Sequence, residues 1–486
     1  MIRTIINMTN SIAVSIAVSV SCAVAIAAEG NNVKPPNIVL VIADDASYHD
    51  FGCWGNKDVR TPNIDRLADQ GIRLTHFYSP AAVCSPLRQA LLTGMFPVRN
   101  GAYPNHSKVY PGVKSLPFYL QSLGYRSICV GKKHFAPAEC YPFDEEIGMV
   151  GEDQPRAARP TNLAMLENFI NKDPNQPFCA YICSNEPHHP WNKGDASVYE
   201  AAKLTLPPYV VDTPETRRGL RNYYAEINHL DGQVGMVLDL LGKTGHAEDT
   251  IVFFFSEQGS NFPHAKWCLY DAGVRTAVVV RWSGKIKPGS ESSTLVQYVD
   301  VLPTLIDIAG CDPASYETGQ PDANGNKGFD GKSFKEALLG RDVKIRDYAF
   351  SQHTSRGIIA GPPAYATRMV TDGHWKLIWN IQHDQEFKNV TLNMAFYKSW
   401  VAKAEGGDAF AKEQVGRFVK RPEWELYDLK ADPWEMTNVA DKPENAEIKA
   451  KLKNALEQWM QQQGDLGHET EMKALERQVS GSESPD

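Results

Sequence analysis

Four largely apolar, strand-like runs recur along the chain, and each is closed by a polar cluster. Asn37–Ile42 ends in Ala43-Asp44-Asp45, and Tyr125–Val130 ends in Gly131-Lys132-Lys133-His134. Pro177–Cys183 leads to Pro187-His188-His189-Pro190, and Thr250–Phe255 leads to Ser256-Glu257-Gln258-Gly259. Runs this short without alternation predict strands buried on both faces. Helices are predicted between them: Thr61–Gly71, starting after Thr-Pro and stopping at Gly, then Ser115–Leu123 and Thr213–Leu241. This alternation is that of an open α/β sheet, whose ligands bind beyond the carboxyl ends of its strands. The four polar clusters should therefore converge on one sheet edge. Further on, Tyr365–Asn380 alternates apolar and polar around Asp372-Gly373, a hairpin signal, and Asn445–Gln463 is an amphipathic helix. The tail from His468 is polar and expected to be loose.

Composition narrows the class. The 486 residues are 42% apolar and 22% charged, with a formal net charge of −8 and no long basic run. Nucleic-acid binding is excluded on electrostatic grounds. Arg3 followed by the apolar stretch Ile12–Ala28 reads as a secretory signal cleaved near Ala27 or Ala28. The mature chain is then exported, periplasmic or secreted, with no second span to hold it in a membrane. Of the nine cysteines, Cys129, Cys179 and Cys183 fall in strands and read as small buried hydrophobes.

Two stretches carry chemistry. In Cys84-Ser-Pro86-Leu87-Arg88 a cysteine opens a helix, with Pro86 in the first turn and Arg88 one turn on. A helix N-terminus favours anions, so Cys84 and Arg88 should face an anion site. Adjacent Asp44 and Asp45 at a strand end need a neutralising cation, and hard oxygen ligands suit calcium or magnesium.

Cys-x-Pro-x-Arg followed by Leu91-x-Thr93-Gly94 resembles the signature of the type I sulfatases, members of the alkaline phosphatase superfamily. Lys132 and His134 resemble that family's "GKWH" phrase, His188 its "PHxP" phrase, and residues 424–438 its closing "ELYDLxxDPxExxN" phrase. The resemblance implies an α/β/α sandwich with a large, mostly parallel central sheet and a smaller C-terminal α+β subdomain with an antiparallel sheet. The expected organisation is a signal over 1–28, a catalytic domain over 29–360, a C-terminal subdomain over 361–467 and a tail over 468–486. The resemblance further implies that dedicated machinery oxidises Cys84 to Cα-formylglycine, whose hydrate attacks the sulfur of a sulfate ester. One divalent metal, Ca2+ or Mg2+, would be held by Asp44, Asp45, Glu257 and Gln258, with residue 84 beside it. Arg88, Lys132 and Lys266 would stabilise the sulfuryl oxygens, His188 would protonate the leaving group, and His134 would act as base. Three positions depart from the family: Leu87 stands for Ser or Ala, Lys133 for Trp, and Glu257-Gln258 for the shorter Asp-Asn or Asp-His. The implied substrate is a sulfated carbohydrate, with phrasing near the heparan N-sulfatase-like branch. The alternatives are an N-sulfoglucosamine hydrolase, a phosphate or phosphonate monoester hydrolase, and a non-catalytic sulfated-glycan binder.

Overall fold

The computed structural model describes residues 34–147 and 163–479; the expected signal segment lies outside them. Its strands are β1 (Asn37–Ile42), β2 (Ile72–Leu74), β3 (Phe77–Tyr78), β4 (Arg126–Gly131), β5 (Glu145–Ile147), β6 (Phe178–Cys183) and β7 (Thr250–Phe255). They continue with β8 (Val278–Trp282), β9 (Ser290–Ser292), β10 (Val296–Gln297), β11 (Ala349–His353), β12 (Thr367–Thr371), β13 (Trp375–Asn380) and β14 (Trp424–Asp428).

Eight strands form the main sheet in the order β5-β4-β6-β1-β7-β8-β2-β9. Of its paired neighbours, only β7–β8 and β2–β8 are antiparallel, so β8 alone runs against the rest. All six residues of β1 are buried, and alternate side chains serve different layers. Val39 and Val41 pack with the helices Pro62–Asp69, Leu163–Lys172 and Pro214–Lys243, whereas Ile38, Leu40 and Ile42 pack with Cys84–Thr93, Leu116–Ser122 and Val301–Ile308. β6 and β7 divide in the same way, which is why their sequences are continuously apolar. Each such aliphatic side chain contributes about 1.5–3 kcal/mol by leaving water. The outcome is the expected α/β/α sandwich with a mostly parallel sheet.

The second sheet, β11-β12-β13-β14, is antiparallel throughout. β12 and β13 form the hairpin that Asp372-Gly373 announced: Gly373 has φ +88°, and the Asp372 carboxylate accepts from the amides of His374 and Trp375 at 2.9 and 2.8 Å. The helix Ala446–Gln463 covers one face of this sheet with Leu452, Leu456, Trp459 and Met460. Two expectations need correction. The sheet starts before the expected boundary at 361, because β11 pairs with β12. The expected loose tail is packed as far as residue 479: Glu471 and Ala474 are fully buried, and Arg477 donates to the carbonyls of Gly101 and Lys108 at 3.0 and 2.6 Å. Its polar side chains hold other backbone, a use that composition does not reveal.

A buried charge network ties the second sheet to the segment that leads into β8. Lys376 of β13 bonds the carboxylate of Asp271 and lies 2.9 Å from Glu435, and Glu435 also accepts from the Asp271 amide at 2.5 Å. Removing one partner of such a network leaves the others buried and unpaired. Lys376→Met, which keeps the bulk and deletes the charge, should lower the unfolding free energy by about 3–5 kcal/mol in urea titrations. A loss below about 1 kcal/mol would show that the carboxyl groups find other partners.

Candidate active site

The four inner strands β4, β6, β1 and β7 are neighbours, so the polar segments that follow them emerge side by side. Backbone hydrogen bonds tie these segments together: the Asp44 amide donates to the Glu186 carbonyl at 2.9 Å, and the Lys132 amide to the Cys183 carbonyl at 3.2 Å. Glycine is required at two of the exits. A Cβ on Gly131, at φ +90°, would lie 2.1 Å from the Cys183 carbonyl oxygen, and one on Gly259 would lie 2.0 Å from that of Ala272. Asp45 and His134 hold φ values of +68° and +53°. Such left-handed conformations of non-glycine residues cost roughly 1–3 kcal/mol each and recur at functional sites.

Cys84 is the first residue of its helix and is 3% exposed, with its Sγ 3.8 Å from Lys132 Nζ. Burial raises the thiol to about 11, against the opposing pull of Lys132 and Lys266. Leu87, the departure from the family pattern, is wholly buried among Leu91, Leu92 and the sheet, so it faces the core.

Among the described residues, three carboxyl groups and three cations meet here, all buried: Asp44, Asp45 and Glu257 with Arg88, Lys132 and Lys266. Lys132 Nζ donates to Asp44 Oδ2 at 2.8 Å and Lys266 Nζ to Asp45 Oδ2 at 2.6 Å. Arg88 Nε donates to Glu257 Oε1 at 2.6 Å, and Nη1 to the Lys132 carbonyl at 3.1 Å. The Gln258 amide nitrogen donates to Asp45 Oδ1. The guanidinium of Arg88 thus holds Glu257, while its Nη2 has no hydrogen-bond partner among the described residues and lies 3.9 Å from Asp44 Oδ1. Among the described residues, three buried oxygens of this cluster have no hydrogen-bond partner: Asp44 Oδ1, Glu257 Oε2 and Gln258 Oε1. Ligand atoms of Asp44, Cys84 and Glu257 lie within 4.8 Å of one another, as do those of Asp44, Asp45 and His188. Lys132 and His188 hold the Asp44 carboxyl well below the usual carboxylate range in spite of its burial. Burial, reinforced by Asp44, pushes Glu257 well above it. Adjacent carboxyl groups driven apart in this way, each with a spare oxygen, are the environment a hard divalent cation relieves. The donor set fits such an ion.

The histidines frame this cluster. His188 Nδ1 is 2.7 Å from the His189 carbonyl, so it carries the ring proton, and Nε2 lies 3.5 Å from Asp45 Oδ2. Burial and Lys266 push His188 down to about 4. His134 is 1% exposed, and its Nε2 lies 3.2 Å from Nδ1 of His106. The fold therefore gathers all ten of the residues singled out in the sequence, His134 through its neighbours Lys132 and Arg88. It adds two that the sequence reading missed: His106, and Asn105, whose Oδ1 is 3.9 Å from Cys84 Sγ. Asn-His in a turn-rich stretch carries no motif signal. Asp231, read as structural, is so: its carboxylate accepts from the Asn63 and Ile64 amides at 3.0 and 2.8 Å.

With this geometry in hand, comparison with known proteins is direct. The sulfatase family profile matches residues 36–311, and the profile of the N-sulphoglucosamine sulphohydrolase C-terminal region matches residues 412–462. The chain is 31% identical over 441 residues to an ulvan-active sulfatase of Formosa agariphila, covering 89% of this chain and 81% of that protein. It is 27% identical to human N-sulphoglucosamine sulphohydrolase, covering 90% and 92%. A solved structure described as a complex with its substrate D-glucosamine-2-N,6-O-disulfate superposes with a TM-score of 0.65 at 22% identity, covering 90% of this chain and 99% of the other. By the extent of these matches, the chain belongs to the sulfatase family, the hydrolases of sulfuric esters.

Proposed function

We propose that this protein removes sulfate from a sulfated carbohydrate, using residue 84 converted from cysteine to Cα-formylglycine beside one divalent cation. The observation that carries this reading is the approach of Cys84 Sγ to Lys132 Nζ, at 3.8 Å, over a buried cluster with three unpartnered oxygens. Asp44, Asp45, Glu257 and Gln258 would hold calcium or magnesium, which when bound supplies fixed positive charge against the sulfate oxygens. The aldehyde supplies, as its hydrate, a hydroxyl nucleophile and a route by which sulfate departs afterwards.

The remaining roles fall to the chain's own groups. Lys132 presents its ammonium group at Asp44 and Lys266 at Asp45, fixed by their 2.8 and 2.6 Å bonds before substrate arrives. Preorganised charge of this kind lowers the barrier of such transfers more than any other single effect. Arg88 fixes Glu257. His188 is a neutral imidazole near pH 7, and a bound sulfate ester adds a negative charge that raises its proton affinity, so its Nε2 takes up a proton from water as the ester binds. It delivers that proton to the leaving oxygen. His134 receives a proton as the aldehyde returns.

The sulfated-glycan class is supported by the ulvan-active and N-sulphoglucosamine-cleaving relatives. Sulfamidate hydrolysis is the second reading, supported by the match over residues 412–462. Initial rates on N-sulfoglucosamine, glucosamine 6-O-sulfate, 4-nitrophenyl sulfate and 4-nitrophenyl phosphate separate these from each other and from phosphate-ester hydrolysis.

Three outcomes test the mechanism. In protein made alongside formylglycine-generating machinery, the residue-84 peptide should carry the aldehyde or its hydrate by mass spectrometry, and Cys84→Ala should lower turnover by more than about 10^3-fold. A peptide that stays a thiol, with turnover intact, would end the formylglycine reading. Chelation should abolish turnover and lower the melting temperature, both restored by calcium; a cation at 100 times its Kd stabilises by about 2.7 kcal/mol. An unmoved melting temperature after verified metal removal would count against the site. His188→Ala should slow a sugar sulfate by about 10^2-fold or more but 4-nitrophenyl sulfate by less than tenfold, because nitrophenolate leaves without a proton. Equal losses on both would remove His188 from that role.

A further inference from the structure

We propose that His106 is a positioning residue for His134, fixing the tautomer in which that ring accepts a proton. The inference rests on the sulfatase reading of His134 as the base that returns the aldehyde. His134 Nε2 and His106 Nδ1 are 3.2 Å apart, and the ring centroids are 4.8 Å apart. At this distance one nitrogen donates and the other accepts, so each ring dictates the tautomer of its neighbour. His134 is buried and His106 only half-buried, so the pair runs from the site interior toward water. Lys132, Arg88 and Asp44 also act on His134. With Nε2 tied to His106, it is Nδ1 that would accept the proton when the O–H bond at residue 84 breaks and sulfate leaves. That step requires the tautomer in which His134 Nε2 carries the hydrogen and donates it to His106 Nδ1.

The loop that carries His106 is held as such a role requires. His106 has φ +52°, a conformation non-glycine residues keep only when their surroundings impose it. The C-terminal segment imposes it: the Val479 amide donates to the His106 carbonyl at 2.9 Å, and the Gln478 side chain to the Asn105 carbonyl at 2.9 Å. Arg477 stacks 4.2 Å over Tyr110 and closes the loop base through Gly101 and Lys108. On the other side the Ser107 amide donates to Ser85 Oγ at 3.3 Å, beside Cys84.

The test uses the full chain. In the formylglycine-bearing enzyme, His106→Phe and His106→Gln should lower kcat on 4-nitrophenyl sulfate about tenfold or more, within the range of lost acid–base assistance. Because kcat/KM reports the steps before sulfate release, it should stay within about twofold. Imidazole in the buffer should restore part of kcat for His106→Ala, whose shortened side chain leaves room for it. In metal-replete Cys84→Ala protein, which needs no turnover, the His134 ring-nitrogen NMR signals should shift on His106→Phe. Equal falls in kcat and kcat/KM, or an unchanged kcat, in a folded variant would overturn the proposal. So would unmoved His134 signals. A wild-type enzyme without turnover would instead strike the sulfatase mechanism, and the NMR comparison would still judge the pairing.

Discussion

The site depends on burying six charged groups in one place without leaving any of them alone. Asp44, Asp45 and Glu257 face Lys132, Lys266 and Arg88, and every one is almost completely removed from water. Isolated, each would carry a desolvation penalty of several kcal/mol. Paired, each carboxyl group has a cationic partner before any cation or substrate enters. A divalent cation held there would add positive charge, which an entering sulfate ester would offset. That balance lets lysines serve as fixed electrostatic donors in a pocket too dry to hold them otherwise.

The fold meets this requirement by making distant residues neighbours. β1, β4, β6 and β7 are separated by long stretches of chain, yet they pair side by side and release their polar ends at one edge. The Lys266 loop belongs to neither the sheet nor a long helix, and it is anchored from outside. Its far end, Asp271, is held by Lys376 of β13 and by Glu435. The C-terminal sheet is thus a support for the catalytic edge, and its buried charges make that contact specific to one register.

How much of this was legible follows from which forces act locally. Short, largely apolar runs bounded by polar clusters read as buried strands, so the central sheet and the place of its polar ends were readable. A helix opening on Cys-Ser-Pro was readable for the same kind of reason. The early start of the second sheet was not, because Ala349–His353 mixes Phe with Ser, Gln and His and shows its strand character only when paired with β12. Asn105, His106 and the segment 474–479 were also hidden. Their importance comes from backbone hydrogen bonds between stretches more than 350 residues apart, such as Gln478 to Asn105, and no local pattern encodes them.

The longer Glu257 and Gln258 side chains show how a departure from family pattern is absorbed. Each splits its two polar atoms between protein and site. Glu257 gives Oε1 to Arg88 and keeps Oε2; Gln258 gives its amide nitrogen to Asp45 and keeps Oε1. The extra methylene therefore need not move the spare oxygen away from Asp44, because the other end of each group is tied by a charged partner. The tie matters more than the length: a flexible glutamate would lose rotamer freedom on meeting a cation, whereas one held at 2.6 Å by Arg88 has lost it already. Arg88 is wholly buried, with Nε on Glu257 and Nη1 on the Lys132 carbonyl. It is the part of the signature that fixes the longer side chain, and Leu87, facing the core one residue earlier, keeps the helix that presents it in place.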